Sequence, residues 1–278
     1  MRFRTVLSVI SADSSDRDIQ AALRVCEQNN SHLSVLLLGT EPPPPIEEFA
    51  VIAHGWVEER EAAATALRER AHAVRSILAG RDLSSDLDSR LVEQAANVAE
   101  IGRHALYADL VFIGPELSQS SLPLKSAVLK GALFEAERPV LIAANKGEAT
   151  LQPKRILLAW SSHPEAARAV REGIEILAAA EAVHVTLVDP QATEWANGPE
   201  PGAEIGTYLA RHGARVTVDR LPSGGNPVAD VLRQHATDID ADMIMMGAYG
   251  HSRLVEWAFG GVTRSMIDKP AISLFLGR

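Results

Sequence analysis

One segment of this chain is written twice. Ala108-Asp-Leu-Val-Phe-Ile-Gly114 and Ala241-Asp-Met-Ile-Met-Met-Gly247 match position by position in residue type. Three further segments recur in the same order around them. Arg155-Ile-Leu-Leu-Ala-Trp160 answers Arg4-Thr-Val-Leu-Ser-Val9, Val183-His-Val-Thr-Leu-Val-Asp189 answers Leu33-Ser-Val-Leu-Leu-Leu-Gly39, and Pro270-Ala-Ile-Ser-Leu-Phe275 answers Pro139-Val-Leu-Ile-Ala143. A chain that restarts in this way repeats one folding unit. Its 278 residues suit two domains, each long enough to bury a core.

The recurring runs are apolar and rich in Val, Ile and Leu, as strands covered on both faces are. Helical apolar spacing separates them, over 18–29, 46–79, 92–106 and 126–136 in the first copy. Ala214-Arg-Val-Thr-Val-Asp-Arg-Leu221 reads as the third strand of the second copy, while its counterpart within 83–91 is ambiguous in pattern. This alternation predicts an α/β fold of two tandem, doubly wound, parallel five-stranded sheets of Rossmann-like type. The domains fall at 1–147 and 152–278, joined by the polar stretch Asn145-Lys-Gly-Glu-Ala-Thr-Leu-Gln-Pro153, and Pro42-Pro-Pro-Pro45 reads as a stiff spacer. In such sheets ligands collect beyond the carboxyl ends of the strands, beside strand one.

The second strand-four segment runs on as Met243-Ile-Met-Met-Gly247-Ala-Tyr-Gly250-His-Ser-Arg-Leu-Val-Glu-Trp-Ala-Phe-Gly260-Gly261-Val-Thr263. It predicts a strand, a glycine turn, a loop and a final helix opened by two glycines. Exposed N–H groups and the positive helix end suit an anion there. Glycines that serve only the turn are the competing reading. Trp160-Ser-Ser-His163 follows strand one and is expected at the same crevice.

With these features in place, the chain resembles a tandem universal stress protein over nearly its whole length. The nucleotide-binding version of that family carries Gly-x2-Gly-x9-Gly followed by Ser or Thr, and Gly247, Gly250 and Gly260 match the spacing. The resemblance implies that Gly247, Gly250, Gly260 and Gly261 line a triphosphate through their backbone. Val262 and Thr263 would add first-turn N–H groups, with the Thr263 hydroxyl donating to a phosphate oxygen. Leu187 and Met246 would flank the base, and Ser161 would lie near adenine and ribose. The implied cofactor is ATP or another adenine nucleotide, with Mg2+ if ATP is bound. Two positions depart from the pattern. Residue 261 is Gly in place of Ser or Thr, which removes a hydrogen bond worth about 0.5–1.5 kcal/mol; residue 161 is Ser where binders commonly place Asp. In relatives the fifth strands of two domains pair, so 139–143 and 270–275 are expected to form an intramolecular pseudo-dimer, with a homodimer optional.

The first copy departs further. Pro115-Glu-Leu117 follows Gly114, the second glycine is absent, Lys130-Gly131 is the nearest helix-opening pair, and Glu116 would repel phosphate. It is expected to keep the fold without a site. Pro222-Ser-Gly-Gly-Asn-Pro227 has the look of an ATP-pyrophosphatase loop but follows strand three, so Asn226 as N-cap with Pro227 at the first helical position explains it better. The nine histidines show no metal-ligand spacing. No metal ligand and no catalytic residue is assigned; His163, His251, Arg253 and Arg264 lie near the expected crevice. Asp238-Ile-Asp-Ala-Asp242 reads as a solvated turn, and Cys26 as a core residue.

With 27 basic and 36 acidic residues the net charge is −9, against a nucleic acid or anionic membrane as main partner. A single cysteine excludes an internal disulfide and suits a reducing compartment. No signal region or bilayer-spanning run is visible, so a cytoplasmic protein is expected. The expected function is a stress-response sensor that binds adenine nucleotide or another anion and an unidentified protein partner. A nucleotide-free interaction module and a slow ATPase are the alternatives.

Overall fold

The computed structural model describes residues 3–43, 50–119, 123–144, 149–191, 199–248, 261–268 and 270–278. Two compact units divide the chain, Phe3–Arg138 and Pro139–Arg278. In the first, β1 (Thr5–Ser11), β2 (His32–Glu41), β3 (Ser85–Glu93) and β4 (Leu110–Ile113) alternate with α1 (Arg17–Asn29), α2 (Ala50–Ala79) and α3 (Asn97–Ala105). All four strands are parallel, with β1 between β2 and β4 and β3 outside β2. β3 was ambiguous in sequence because none of its residues is fully buried, so no apolar run marks it. Two short helices follow β4, α4 (Pro115–Gln119) and α5 (Pro123–Lys130), and α5 runs on as a π-turn over Gly131–Glu135. Gly131 therefore opens no helix. A Cβ there would stand 2.8 Å from the Val98 carbonyl oxygen, so this glycine lets α3 and the π-turn cross closely.

The second unit holds β5 (Val140–Ile142), β6 (Arg155–Ala159), β7 (Ala182–Val188), β8 (Val216–Leu221), β9 (Met243–Gly247) and β10 (Ser273–Gly277). Its helices are α6 (Pro164–Glu172), α7 (Ile174–Ala179), α8 (Ala203–Arg211), α9 (Val228–Asp238) and α10 (Gly261–Asp268). β10, β9, β6, β7 and β8 are parallel in that order, so β6 has β9 on one side and β7 on the other. β5 joins the far edge antiparallel to β10, with Leu141 opposite Phe275. The last strand of the first sequence copy is thus packed inside the second unit. Val140, Leu141, Ile142 and Phe275 are all fully buried, and this apolar ladder draws the boundary back to Pro139 from the polar linker.

The carboxylate of the repeated Ala-Asp has a structural purpose. Asp109 Oδ2 accepts the N–H of Arg4 at 2.8 Å and of Thr5 at 3.0 Å. Asp242 Oδ2 accepts the N–H of Lys154 and of Arg155, both at 2.8 Å. Each side chain clips the start of strand one to the start of strand four. Asp242 is exposed, but it is engaged, which corrects its reading as part of a merely solvated turn. Asp109→Ala is expected to cost about 1–2 kcal/mol, because two charge-assisted bonds are lost at a half-exposed site. An unchanged urea midpoint would count against the clip.

Cys26 is buried, and burial pushes its thiol up to about 12 with the Glu27 charge adding, so it packs and does not react. No described helix is long and apolar enough to cross a membrane.

Candidate functional site

The carboxyl edge of the second sheet follows from strand register. Ala159 on β6 is aligned with Thr186 on β7 and with Met246 on β9. The next residues, Trp160, Leu187 and Gly247, therefore reach the edge in one row, just before Ser161. This is the switch point where the chain leaves the central strand in both directions. Ser161 is exposed, and its carbonyl accepts the His163 N–H at 2.6 Å. Leu187 and Met246 are core residues, 3% and 5% exposed. Leu187 lies under Gly202, whose φ is +88° and at which a Cβ would stand 2.8 Å from Leu187 Cδ1. Above this floor, Trp160, Ser162, His163, Gly202, Glu204 and Ile205 line an open depression of about 380 Å³. Gly250, Gly260, His251 and Arg253 lie outside the described residues.

Gly247 is placed by packing. A Cβ on it would stand 2.5 Å from Ala166 N and 2.6 Å from the Glu165 carbonyl carbon, so only glycine lets α6 close onto β9. The next N–H, that of Ala248, already donates to the Gly277 carbonyl at 2.7 Å. Gly261 is the opposite case. It is exposed at the first residue of α10, and nothing lies within 4 Å of a Cβ there among the described residues. It lines an open depression of about 560 Å³ with Arg233, Arg264, Ser265 and Asp268. Val262 is half-buried and Thr263 buried. Arg264 lies 3.7 Å from Asp268 along the same helix, and Arg233 reaches across from α9 to donate to Ser265 Oγ at 2.7 Å.

The corresponding turn of the first unit is filled from within. Asp18, on α1 and 1% exposed, accepts the Glu116 N–H at 2.7 Å through Oδ1 and the Leu117 N–H at 3.0 Å through Oδ2. An internal carboxylate thus takes the donors that follow strand four, and α4 forms where a loop was expected. Burial pushes the Asp18 carboxyl up, and the two N–H groups oppose that shift without cancelling it. Glu116 turns away and accepts the Ser15 N–H at 3.1 Å. These two N–H groups are thus already engaged by Asp18.

Two other readings change. Asn226 does not cap α9: Pro227 occupies that position, and Asn226 Nδ2 donates to the Ser223 carbonyl at 3.1 Å. Gly224 and Gly225, at φ +59° and +83°, close a tight turn in which the Asn226 N–H donates to Ser223 O at 3.0 Å. The histidines also converge where spacing showed nothing. His184 Nδ1 on β7 and His235 Nε2 on α9 lie 2.8 and 2.9 Å from Asp219 Oδ2 on β8. Burial raises Asp219, but hydrogen bonds from His235 and His184 outweigh it and hold the carboxyl below its usual range. Strand alternation would have put His184 and Asp219 on one face; only the docked helix adds His235.

Parallel strands wound to both sides of a central one, with a crevice at their carboxyl edge, define a doubly wound α/β protein of Rossmann type. Residues 153–276 match the model of the universal stress protein family. That match is confined to the second sequence copy. No curated protein sequence matches the chain. Similar solved structures include a universal stress protein from Archaeoglobus fulgidus, 17% identical over 98% of each chain with a TM-score of 0.65. A provisionally named universal stress protein from Pseudomonas aeruginosa is 16% identical over 99% of this chain and 92% of its own, with a TM-score of 0.58. A functionally unknown protein from the same species is 15% identical over the same shares, with a TM-score of 0.57. At these identities the likeness is one of fold.

Proposed function

We propose that this is a stress-response sensor or interaction module whose second half binds an adenine nucleotide, ATP with Mg2+, or another anion at the carboxyl edge of β6, β7 and β9. The observation that carries this reading is a contrast between the copies. The turn after β4 is satisfied internally by Asp18, whereas the turn after β9 opens the Gly247, Gly250, Gly260 spacing inside the family match. The edge row of Trp160, Leu187 and Gly247 with Ser161 beside it, and the open start of α10 at Gly261, Val262 and Thr263, suit base and phosphate respectively. The ladder between β5 and β10 supports an intramolecular pseudo-dimer, so that a second copy of the chain is optional.

The test is to denature the purified protein, analyse any released nucleotide, and titrate ATP while following Trp160 emission. Gly261→Ser adds the hydroxyl that the nucleotide-binding pattern carries and is expected to tighten ATP by about two- to tenfold. Gly260→Asp is expected to abolish binding. No released nucleotide and no saturable response in wild type or Gly261→Ser would leave a nucleotide-free interaction module. Steady phosphate release lost in Gly260→Asp would make the protein a slow ATPase.

A further inference from the structure

We propose that His184, Asp219 and His235 form a binding site for a divalent transition metal of zinc-like character, separate from the nucleotide edge. The three side chains come from β7, the edge strand β8 and α9, and their ligand atoms all lie within 4.8 Å of one another. Thr186 pairs with Asp219 across the strands, so His184, two residues before Thr186, projects from the same face. The His235 ring closes the group from above, 6.2 Å from the His184 ring and nearly perpendicular to it.

The donor set selects the ion. Two imidazoles and one carboxylate suit zinc, cobalt or nickel, whereas calcium and magnesium require a shell of oxygens that one aspartate does not supply. The fit is close. Zinc bonds of about 2.0–2.1 Å in tetrahedral array place ligand atoms about 3.3 Å apart. His184 Nδ1 and His235 Nε2 stand 2.8 and 2.9 Å from Asp219 Oδ2, so each must move off that oxygen by about 0.5 Å to admit the ion, with the two ring nitrogens within 4.8 Å of each other. The side chains remain 21%, 19% and 17% exposed for His184, Asp219 and His235, which leaves an approach for the ion and room for water as fourth ligand.

Binding is balanced in protons. The ring nitrogens that face Asp219 Oδ2 carry the protons of those hydrogen bonds, and metal on such a nitrogen requires its proton to leave, to the opposite ring nitrogen where that is free or to solvent where it is not. The product is a clip that fastens α9 to the sheet edge.

The first unit provides an internal contrast. Asp88 on β3 stands where Asp219 stands on β8, since Ser85 and Val216 pair with the equivalent Leu33 and Val183. Asp88 Oδ2 accepts His104 Nε2 at 3.1 Å but Arg90 Nη2 at 2.8 Å in place of a second imidazole. A guanidinium has no lone pair for a metal. Of these two corresponding positions, only the one in the second unit should take up an ion.

The experiment uses the untagged full chain, stripped with chelator and titrated with Co2+, then Zn2+. One equivalent of Co2+ is expected to give visible d–d absorption that Zn2+ displaces, and Zn2+ should raise the melting temperature. His184→Gln and His235→Gln should weaken binding by more than the about 100-fold that loss of an outer-shell partner costs, while His212→Gln leaves it unchanged. If either ligand variant fails to fold, ring nitrogen-15 shifts of the wild type decide: Zn2+ should move His184 and His235 selectively. Saturation only at millimolar metal, binding that survives in both ligand variants, or equal shifts at all histidines would overturn the proposal.

Discussion

Gly247→Ala is expected to destabilise the second unit by about 2–3 kcal/mol, the cost of forcing a methyl group into a packed contact that cannot yield. The atoms in the way are backbone: a Cβ would lie 2.5 Å from Ala166 N and 2.6 Å from the Glu165 carbonyl carbon. Side-chain rotation relieves neither contact, so α6 has to lift from β9. Chemical denaturation without nucleotide reads the effect, with the two units followed as separate transitions because they need not unfold together. Gly261→Ala, whose Cβ meets nothing within 4 Å among the described residues, is the control and should leave stability nearly unchanged. A Gly247→Ala protein as stable as wild type that has lost ATP would show this glycine to serve the ligand alone.

Asp18→Ala is expected to cost the first unit about 3 kcal/mol. It removes two charge-assisted hydrogen bonds and leaves the Glu116 and Leu117 N–H groups without their acceptor at a largely buried turn. The pH dependence has a definite sign. The folded carboxyl titrates above its ordinary value, so between the two values the folded state holds more proton than the unfolded one. This group's contribution to stability therefore grows as pH falls through that window and is lost as pH rises through the folded value. The Asp18→Ala protein should lack that component in its pH–stability profile. A loss below about 0.5 kcal/mol, within the ordinary range for surface changes, would mean that water satisfies the turn equally well.

Much of the architecture was legible because it is local. Apolar runs of strand length, helical spacing between them and the repeated Ala-Asp segment are properties of neighbouring residues. β3 was the weak point: half-buried at an edge, it carries no apolar run. At the site, register places Ser161, Leu187, Met246 and Gly247 at one carboxyl edge. Their adjacency could be anticipated only after the order of the strands had been inferred from the repeat.

The sequence by itself determined the doubled α/β unit, the crevice end of each sheet and the asymmetry between the two strand-four turns. Tertiary structure decided why these glycines and carboxylates are where they are. Gly247 answers to the first turn of α6, Asp109 and Asp242 to the start of strand one, and Asp18 to a turn nearly a hundred residues away. It also placed β5 in the second unit and drew His184, Asp219 and His235 together. Periodicity reports which way a residue faces along its own element. What it meets there depends on elements distant in the chain, and contact distances of a few ångströms between them are set only when the core packs.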